Sequence, residues 1–287
     1  MTRTLLALTL ALTAGCGPAR TGQIIQNKGS DTLYPVAQAW SEAYSKVVPD
    51  VSVAVNGGGT GTGVSALING TCDLANCSRE LTEKEYALAK SSGRPALKHL
   101  VGRGAIAAYV HKTNPMTSMT IAQLADIFGE NPKYKHWSEL GVTIPGVAAG
   151  KDEIVVVGRQ NSSGTHDFFK EVVLGKGREF ALGIRELHGS KDVVELVELT
   201  PGAIGYSDLA FATDKVHALA IAADAASKPV EATMDTAISG EYPISRPLFM
   251  YTAGEPKPFV QAYLDWIKSD AGQRLLVEKG YTPIRKL

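Results

Sequence analysis

Three times in this chain a strand-like apolar run ends in a short turn of Gly, Ser and Thr that leads straight into a helix-like run. The first follows Ile24 to Gln26, through Lys28-Gly29-Ser30-Asp31-Thr32, into an amphipathic helix from Pro35. There Val36, Trp40, Tyr44 and Val47 recur at three- and four-residue spacing, as one buried helix face requires. Pro35 suits a first helical position, where its missing N–H is not needed. The second follows the alternating run Val51 to Val55, through Gly57 to Gly63, into a helix carrying Val64, Leu67 and Ile68. The third follows the continuous apolar run Ile154 to Val157, through Gly158 to Ser163, into a helix from Gly164. Strand, polar turn and helix in this order predict an α/β protein with a mainly parallel sheet flanked by helices.

The remaining pattern fits that class. Leu74 to Cys77 reads as a strand and Thr82 to Ser92 as a helix opened by a Thr82/Glu85 capping box. A second alternating block starts near Gly104, with a strand over Ala105 to Val110 and a helix over Ile121 to Phe128 capped by Thr120 and Gln123. Ala203 to Tyr206 is a further short strand, the pattern resets at Val216 to Ile221, and two amphipathic helices close the chain around Phe259 to Ile267 and Ala271 to Glu278. A chain of 287 residues without internal repeats or low-complexity linkers suits one or two domains. The natural division is two α/β lobes, and the periodicity alone does not say whether the C-terminal part returns to the first.

The three turns share a chemistry. A helix N-terminus offers unpaired backbone N–H groups and a partial positive charge, Gly lets the backbone approach closely, and hydroxyls add neutral donors. Ser30, Thr32 and Leu33, then Thr60, Gly61 and Thr62, then Ser163, Gly164 and Thr165 therefore make a candidate site for a compact anion. Singly, each turn is also explained by helix capping and turn formation. Arg159, four residues before Ser163, can add a fixed charge and a forked pair of donors.

Other chemistries fit poorly. The glycine run lacks the Gly-Lys-Ser/Thr ending of a phosphate-binding loop and the dinucleotide fingerprint, so no nucleotide or other cofactor is implied. A Gly-x-Ser-x-Gly elbow is absent, and His166 beside Thr165 is the one suggestively placed histidine. The six histidines are scattered without metal-ligand spacing. With 29 Lys or Arg balancing 29 Asp or Glu, and no interleaving of aromatic and basic residues, no nucleic-acid face is expected.

The N-terminus reads as an export signal. Arg3 precedes the apolar run Leu5 to Leu12, which is too short to span a membrane, and Leu12-Thr13-Ala14-Gly15-Cys16 follows. Residues 1–15 are expected to be removed, leaving Cys16 to carry a lipid. Export places Cys72 and Cys77 in an oxidising compartment. If Leu74 to Cys77 is a strand, however, the two Cα atoms lie beyond bridging distance and two buried thiols are expected; a tight turn at Thr71 to Asp73 would reverse that expectation.

A resemblance joins these features. Gly29-Ser30-Asp31-Thr32, Gly59-Thr60-Gly61-Thr62-Gly63 with Leu67-Ile68-Asn69-Gly70, Cys77-Ser78-Arg79, Gly158-Arg159 with Ser162-Ser163-Gly164-Thr165, Gly202-Ala203-Ile204-Gly205-Tyr206, Tyr242 to Leu248, and Gly280-Tyr281-Thr282-Pro283 stand in order along the chain. Together they resemble the phosphate-binding lipoproteins of bacterial phosphate ABC transporters. The resemblance implies a two-lobe periplasmic-binding-protein fold of type II-like form, crossed twice, with lobe one at 21–104 plus 216–287 and lobe two at 105–215. It implies inorganic phosphate between the lobes, held by Thr32 and the Leu33 N–H, by Thr60 and its neighbours, and by Arg159, Ser163, Gly164 and Thr165. Ser78 and Arg79 come to the same site, Arg79 either as a second cation or paired with Glu80 or another surface acid.

Some family members carry Asp where this chain has Arg79 and Asn161. The acceptor that refuses sulfate is therefore sought in Asp31, whose ordinary role would be helix capping, with Asp208 as the alternative. The implied partners are membrane permease subunits and a membrane holding the lipid anchor, for a protein expected to be monomeric and to perform no catalysis. Related binders take molybdate or tungstate, and a phosphate ester hydrolase is the rival of another class.

Overall fold

The computed structural model describes residues 22–287, so the export signal and Cys16 lie outside the described residues. The chain begins with β1 (Gln23–Gly29), α1 (Tyr34–Val47), β2 (Val51–Asn56), α2 (Thr60–Ile68), β3 (Leu74–Cys77) and α3 (Glu83–Ser91). The long strand β4 (Ala96–His111) leads to β5 (Ser118–Thr120), α4 (Ile121–Phe128), β6 (Val155–Arg159) and α5 (Gly164–Phe169). After these come β7 (Arg185–Leu187), α6 (Ser190–Leu199), β8 (Ala203–Asp208), β9 (Val216–Ala218), β10 (Ala220–Ala222) and α7 (Met234–Ser239). The chain ends with β11 (Ser245–Ala253), α8 (Pro258–Lys268) and α9 (Asp270–Glu278).

Local signals act as expected where the chemistry is local. Pro35 stands in the first turn of α1, and the boxes Thr82/Glu85 and Thr120/Gln123 cap α3 and α4 reciprocally. Val36, Trp40 and Tyr44 of α1 are buried, while Val47 in its last turn is 61% exposed. Cys77 is buried in β3, Cys72 is half-buried, and both thiols are free. Burial pushes the Cys72 thiol up to about 12, which leaves it protonated and unreactive.

One sheet runs through the described residues in the order β2-β1-β3-β11-β4-β8-β6-β7, with β9 also paired to β4 and a separate β10-β5 pair. Parallel pairs lie at its flanks, β1 with β2 and β3, and β6 with β7 and β8. The middle is antiparallel because the chain leaves the first lobe along β4 and comes back along its neighbour β11. The near part of β4 pairs with β11 and its far part, Ile106 to Val110, with β8.

Alternating side chains build a core on each face of each half. Ile25, Trp40, Leu74, Met250 and Tyr263 pack on one face of the first half, and Leu67, Ala75, Cys77 and Phe249 on the other. In the second half Ile106, Ala108 and Val110 join Phe128, Trp137 and Tyr206, while Ala107 and Tyr109 join Val193 and Val197.

The lobe boundary differs from the expected one. Val216 to Ala218 pair with Tyr109 to His111. Ala220 to Ala222 pair with Ser118 to Thr120. Leu219, Ile221, Ala237, Tyr242 and Ile244 lie in the second core. The chain therefore returns to the first lobe at Ser245, not at Val216. The reset in the pattern at Val216 marks two short strands separated by Leu219, and which core they cover is decided by β4 and β5, far away in sequence.

Candidate functional site

The C-terminal ends of β1 and β2, parallel neighbours, put the turns before α1 and α2 side by side at one edge of the first lobe. Such edges, where strands give way to helices, are where α/β sheets bind ligands. The turn after β6 faces them from the second lobe. The Gly61 N–H donates to the Ser162 carbonyl at 3.0 Å. The Oγ1 atoms of Thr32 and Thr165 lie 3.0 Å apart, and the Ser78 N–H donates to Thr60 Oγ1 at 3.1 Å. The approach is so close that glycine is required on both sides. A Cβ at Gly59, whose φ is +90°, would stand 2.5 Å from the Ser162 carbonyl oxygen. One at Gly164 would stand 2.7 Å from Ser78 Oγ. Ser30, Thr32, Thr60, Ser78, Ser163 and Thr165 are all buried here.

Two guanidinium groups lie within this junction. Arg159 is 1% exposed. Its Nε and Nη2 donate to the His188 carbonyl at 3.2 and 2.7 Å, its Nη1 to Ser190 Oγ at 2.6 Å, and its Nη2 to Asp31 Oδ2 at 3.4 Å. Four of its five N–H donors are thus engaged, and one on Nη1 is left. Burial pushes Arg159 below its ordinary value, against the attraction of Asp31. Asp31 in turn accepts from the Gly58 N–H at 3.0 Å, so it ties Arg159 to the turn before α2. Arg246, on β11, pairs with Asp208 at the end of β8 at 3.1 Å, both fully enclosed. Its Nη2 also donates to Thr32 Oγ1 and Thr165 Oγ1 at 3.2 and 2.9 Å, and its Nη1 to the Gly164 carbonyl at 3.2 Å.

The profile of the PBP superfamily domain matches residues 16–271. The phosphate-binding protein PstS of Pseudomonas aeruginosa is 33% identical over 271 residues, 91% of this chain and 83% of that one. The chain belongs to the PstS family of the PBP superfamily. PstS of Bacillus subtilis is 34% identical over 259 residues, 89% of this chain and 79% of that one. Among solved structures, a putative phosphate ABC transporter substrate-binding protein from Clostridium perfringens with bound phosphate superposes with a TM-score of 0.81 at 28% identity. That match covers 92% of this chain and 100% of that one.

In this PstS-family chain contacts across the junction involve Asp31, Thr32, Thr60, Gly61, Ser78, Arg159, Gly164 and Thr165 of the sequence-derived set; Ser30 and Ser163 lie buried in the same turns, and the Leu33 side chain packs in the first core. Two members are engaged otherwise. Thr62 Oγ1 donates to the Gly58 carbonyl at 2.6 Å and braces its own turn. Arg79 makes a forked pair with Glu85 at 2.8 and 2.9 Å, and its Nε reaches Asp167 of α5 at 2.7 Å. Glu80 supplies Arg79 only a backbone carbonyl. His166 Nδ1 lies 3.0 Å from Asp167 Oδ1 and its ring packs near Phe180, rather than against a site hydroxyl.

Arg246 has no role in the sequence reading, although its segment belongs to the resemblance. The available signal is its place between Ile244 and Leu248, two apolar residues sharing its strand face, where a cation must be buried and partnered.

Arg79 joins the lobes through Asp167. Partial burial opposes ionisation of Asp167, but the hydrogen bonds of His166 and Arg79 hold its carboxyl below the ordinary value. A carboxyl lowered in this way contributes stability above its unfolded pKa and loses that contribution as pH falls through its folded pKa. Melting temperature should therefore fall with acidification through and below the ordinary Asp range, and Asp167→Asn should flatten that dependence. Parallel melting profiles for parent and variant would count against the pairing.

Proposed function

We propose that this chain captures inorganic phosphate between its two lobes and delivers it to the membrane permease of an ABC transporter. The observation that carries this reading is the closure of three donor-rich turns, two from one lobe and one from the other, around buried hydroxyls and Arg159. An anion seated there receives hydrogen bonds from both lobes, so binding and closure are one event. A micromolar dissociation constant corresponds to about 8 kcal/mol, within reach of an array of charge-assisted hydrogen bonds after dehydration. The names of the relatives point the same way. Ser30, Asp31, Thr32, Leu33, Thr60, Gly61, Ser78, Arg159, Ser163, Gly164 and Thr165 form the proposed phosphate site. Arg79 and Thr62 support it from outside.

Calorimetric titration with phosphate, sulfate and molybdate is the direct test. Phosphate should bind one to one, and at a hundredfold excess over its dissociation constant should add about 2.7 kcal/mol of stability. Tighter binding of molybdate would reassign the ligand. Steady turnover of a chromogenic phosphate ester would replace transport by catalysis, since a carrier performs no covalent step.

Export with a lipid on Cys16 completes the proposal. Among the described residues no helix is long and apolar enough to cross a membrane. Cys16→Ser should move the protein from the membrane to the soluble fraction without changing phosphate affinity. Retention of the variant on membranes would overturn the anchor.

A further inference from the structure

Arg246 stands opposite Gly104 at the start of β11, so its side chain leaves a crossing strand rather than either wall of the site. Its Nη2 carries two protons and faces three acceptors, Thr165 Oγ1 at 2.9 Å, Asp208 Oδ2 at 3.1 Å and Thr32 Oγ1 at 3.2 Å. A guanidinium only donates, whereas a hydroxyl has one proton and two lone pairs. Each threonine oxygen that accepts from Arg246 keeps its own proton to give. With Thr32 Oγ1 and Thr165 Oγ1 3.0 Å apart, one donates to the other in this closed form, and an oxyanion set between them would draw both protons. Asp208 neutralises the guanidinium, so the effect of Arg246 is one of direction more than of net charge.

We propose that Arg246 is a positioning residue that fixes the Thr32 and Thr165 hydroxyls as donors to the bound anion and so favours the phosphate dianion over the monoanion. This rests on the phosphate reading above. A monoanion carries a further P–OH and needs an acceptor, and a hydroxyl that already accepts from Arg246 has only one lone pair left to offer.

The charged and titratable groups around Arg246 are Asp208 and Tyr206 on β8, Tyr281 after α9 and Arg159 on β6. Burial pushes Tyr206 and Tyr281 up, so both stay protonated through the neutral range. His166, His188, Asp31 and Asp167 adjoin the junction in parent and variant alike, so the difference between two profiles isolates Arg246.

The test is calorimetric titration of the full chain with inorganic phosphate from about pH 6 to about pH 8, across the second ionisation of phosphate, comparing parent with Arg246→Lys. Lysine keeps a positive charge beside Asp208, but its side chain ends one bond short of Nη2, the nitrogen that meets both hydroxyls. Parent affinity should rise with pH. The variant should bind about tenfold or more weakly at the upper end, with a flattened rise, because the freed oxygens can accept from P–OH. A variant profile parallel to that of the parent overturns the proposal.

In a second measurement Thr32→Val should cost fewer fold in affinity on the Arg246→Lys background than on the parent, and an equal cost overturns the proposal as well. If Arg246→Lys does not fold, the pair Arg246→Met with Asp208→Asn, which leaves no buried charge alone, takes its place in both measurements. A parent that fails to bind phosphate overturns the phosphate reading and the proposal with it. A parent that binds beside an unaltered variant overturns the positioning role only.

Discussion

Arg159→Ala is expected to weaken phosphate binding by about 2 to 5 kcal/mol, enough to remove the signal from an ordinary calorimetric titration. The size follows from enclosure. Arg159 is 1% exposed and held by the His188 carbonyl, Ser190 and Asp31, so its charge does not move away from the junction when a ligand is absent. Truncation leaves Asp31 without its cation and any bound anion with one partner fewer in a dehydrated place. Thr62→Ala is the control. Its hydroxyl braces the Gly58 carbonyl, and its loss should cost about 1 kcal/mol or less. Equal losses from the two variants would place Arg159 outside the binding site.

Asp208→Ala should destabilise the folded protein by about 3 to 5 kcal/mol, read from the denaturant midpoint at constant slope. Burial pushes the Asp208 carboxyl up, against the attraction of Arg246, and pushes Arg246 down. Both directions say that enclosing the pair is costly, yet removing one partner is worse, because Arg246 would remain buried without a counter-charge. Among the described residues Asp208 Oδ1 and Arg246 Nε already have no hydrogen-bond partner. An unchanged midpoint would mean that water or a rotated side chain readily replaces the carboxylate.

What the sequence made legible was local. The capping residues Thr82 and Thr120 named their helices because the hydrogen bonds that stop fraying are made within one turn. The three Gly, Ser and Thr turns were visible because each sits between its own strand and helix. Distant pairing was not visible in this way. Whether Val216 to Ile244 cover the first or the second core depends on strands more than a hundred residues earlier in the chain, which no period in the segment records. Arg79 illustrates the same limit. Its neighbour Glu80 was the nearest acid in sequence, but Glu85, in the first turn of α3, and Asp167, in the other lobe, hold it. Arg246 was hidden for a related reason, since a lone arginine in an apolar strand gains its meaning only from Asp208, Thr32 and Thr165.

The position of β11 bears on the order in which the molecule is assembled. The second lobe is a continuous stretch, from the far part of β4 to Ile244, and every strand it needs is present before β11 emerges. The first lobe has β11 in its interior, between β3 and β4, although β11 is the last strand of the chain. Until Ser245 to Ala253 arrive, β3 and the near part of β4 have open edges and the core around Leu74 lacks Leu248 and Met250. Contacts of such long sequence separation form late. The earlier half of the sequence therefore waits for the later one, and under the proposed export a chain threaded N-to-C through a membrane must deliver nearly its whole length before its first lobe can close.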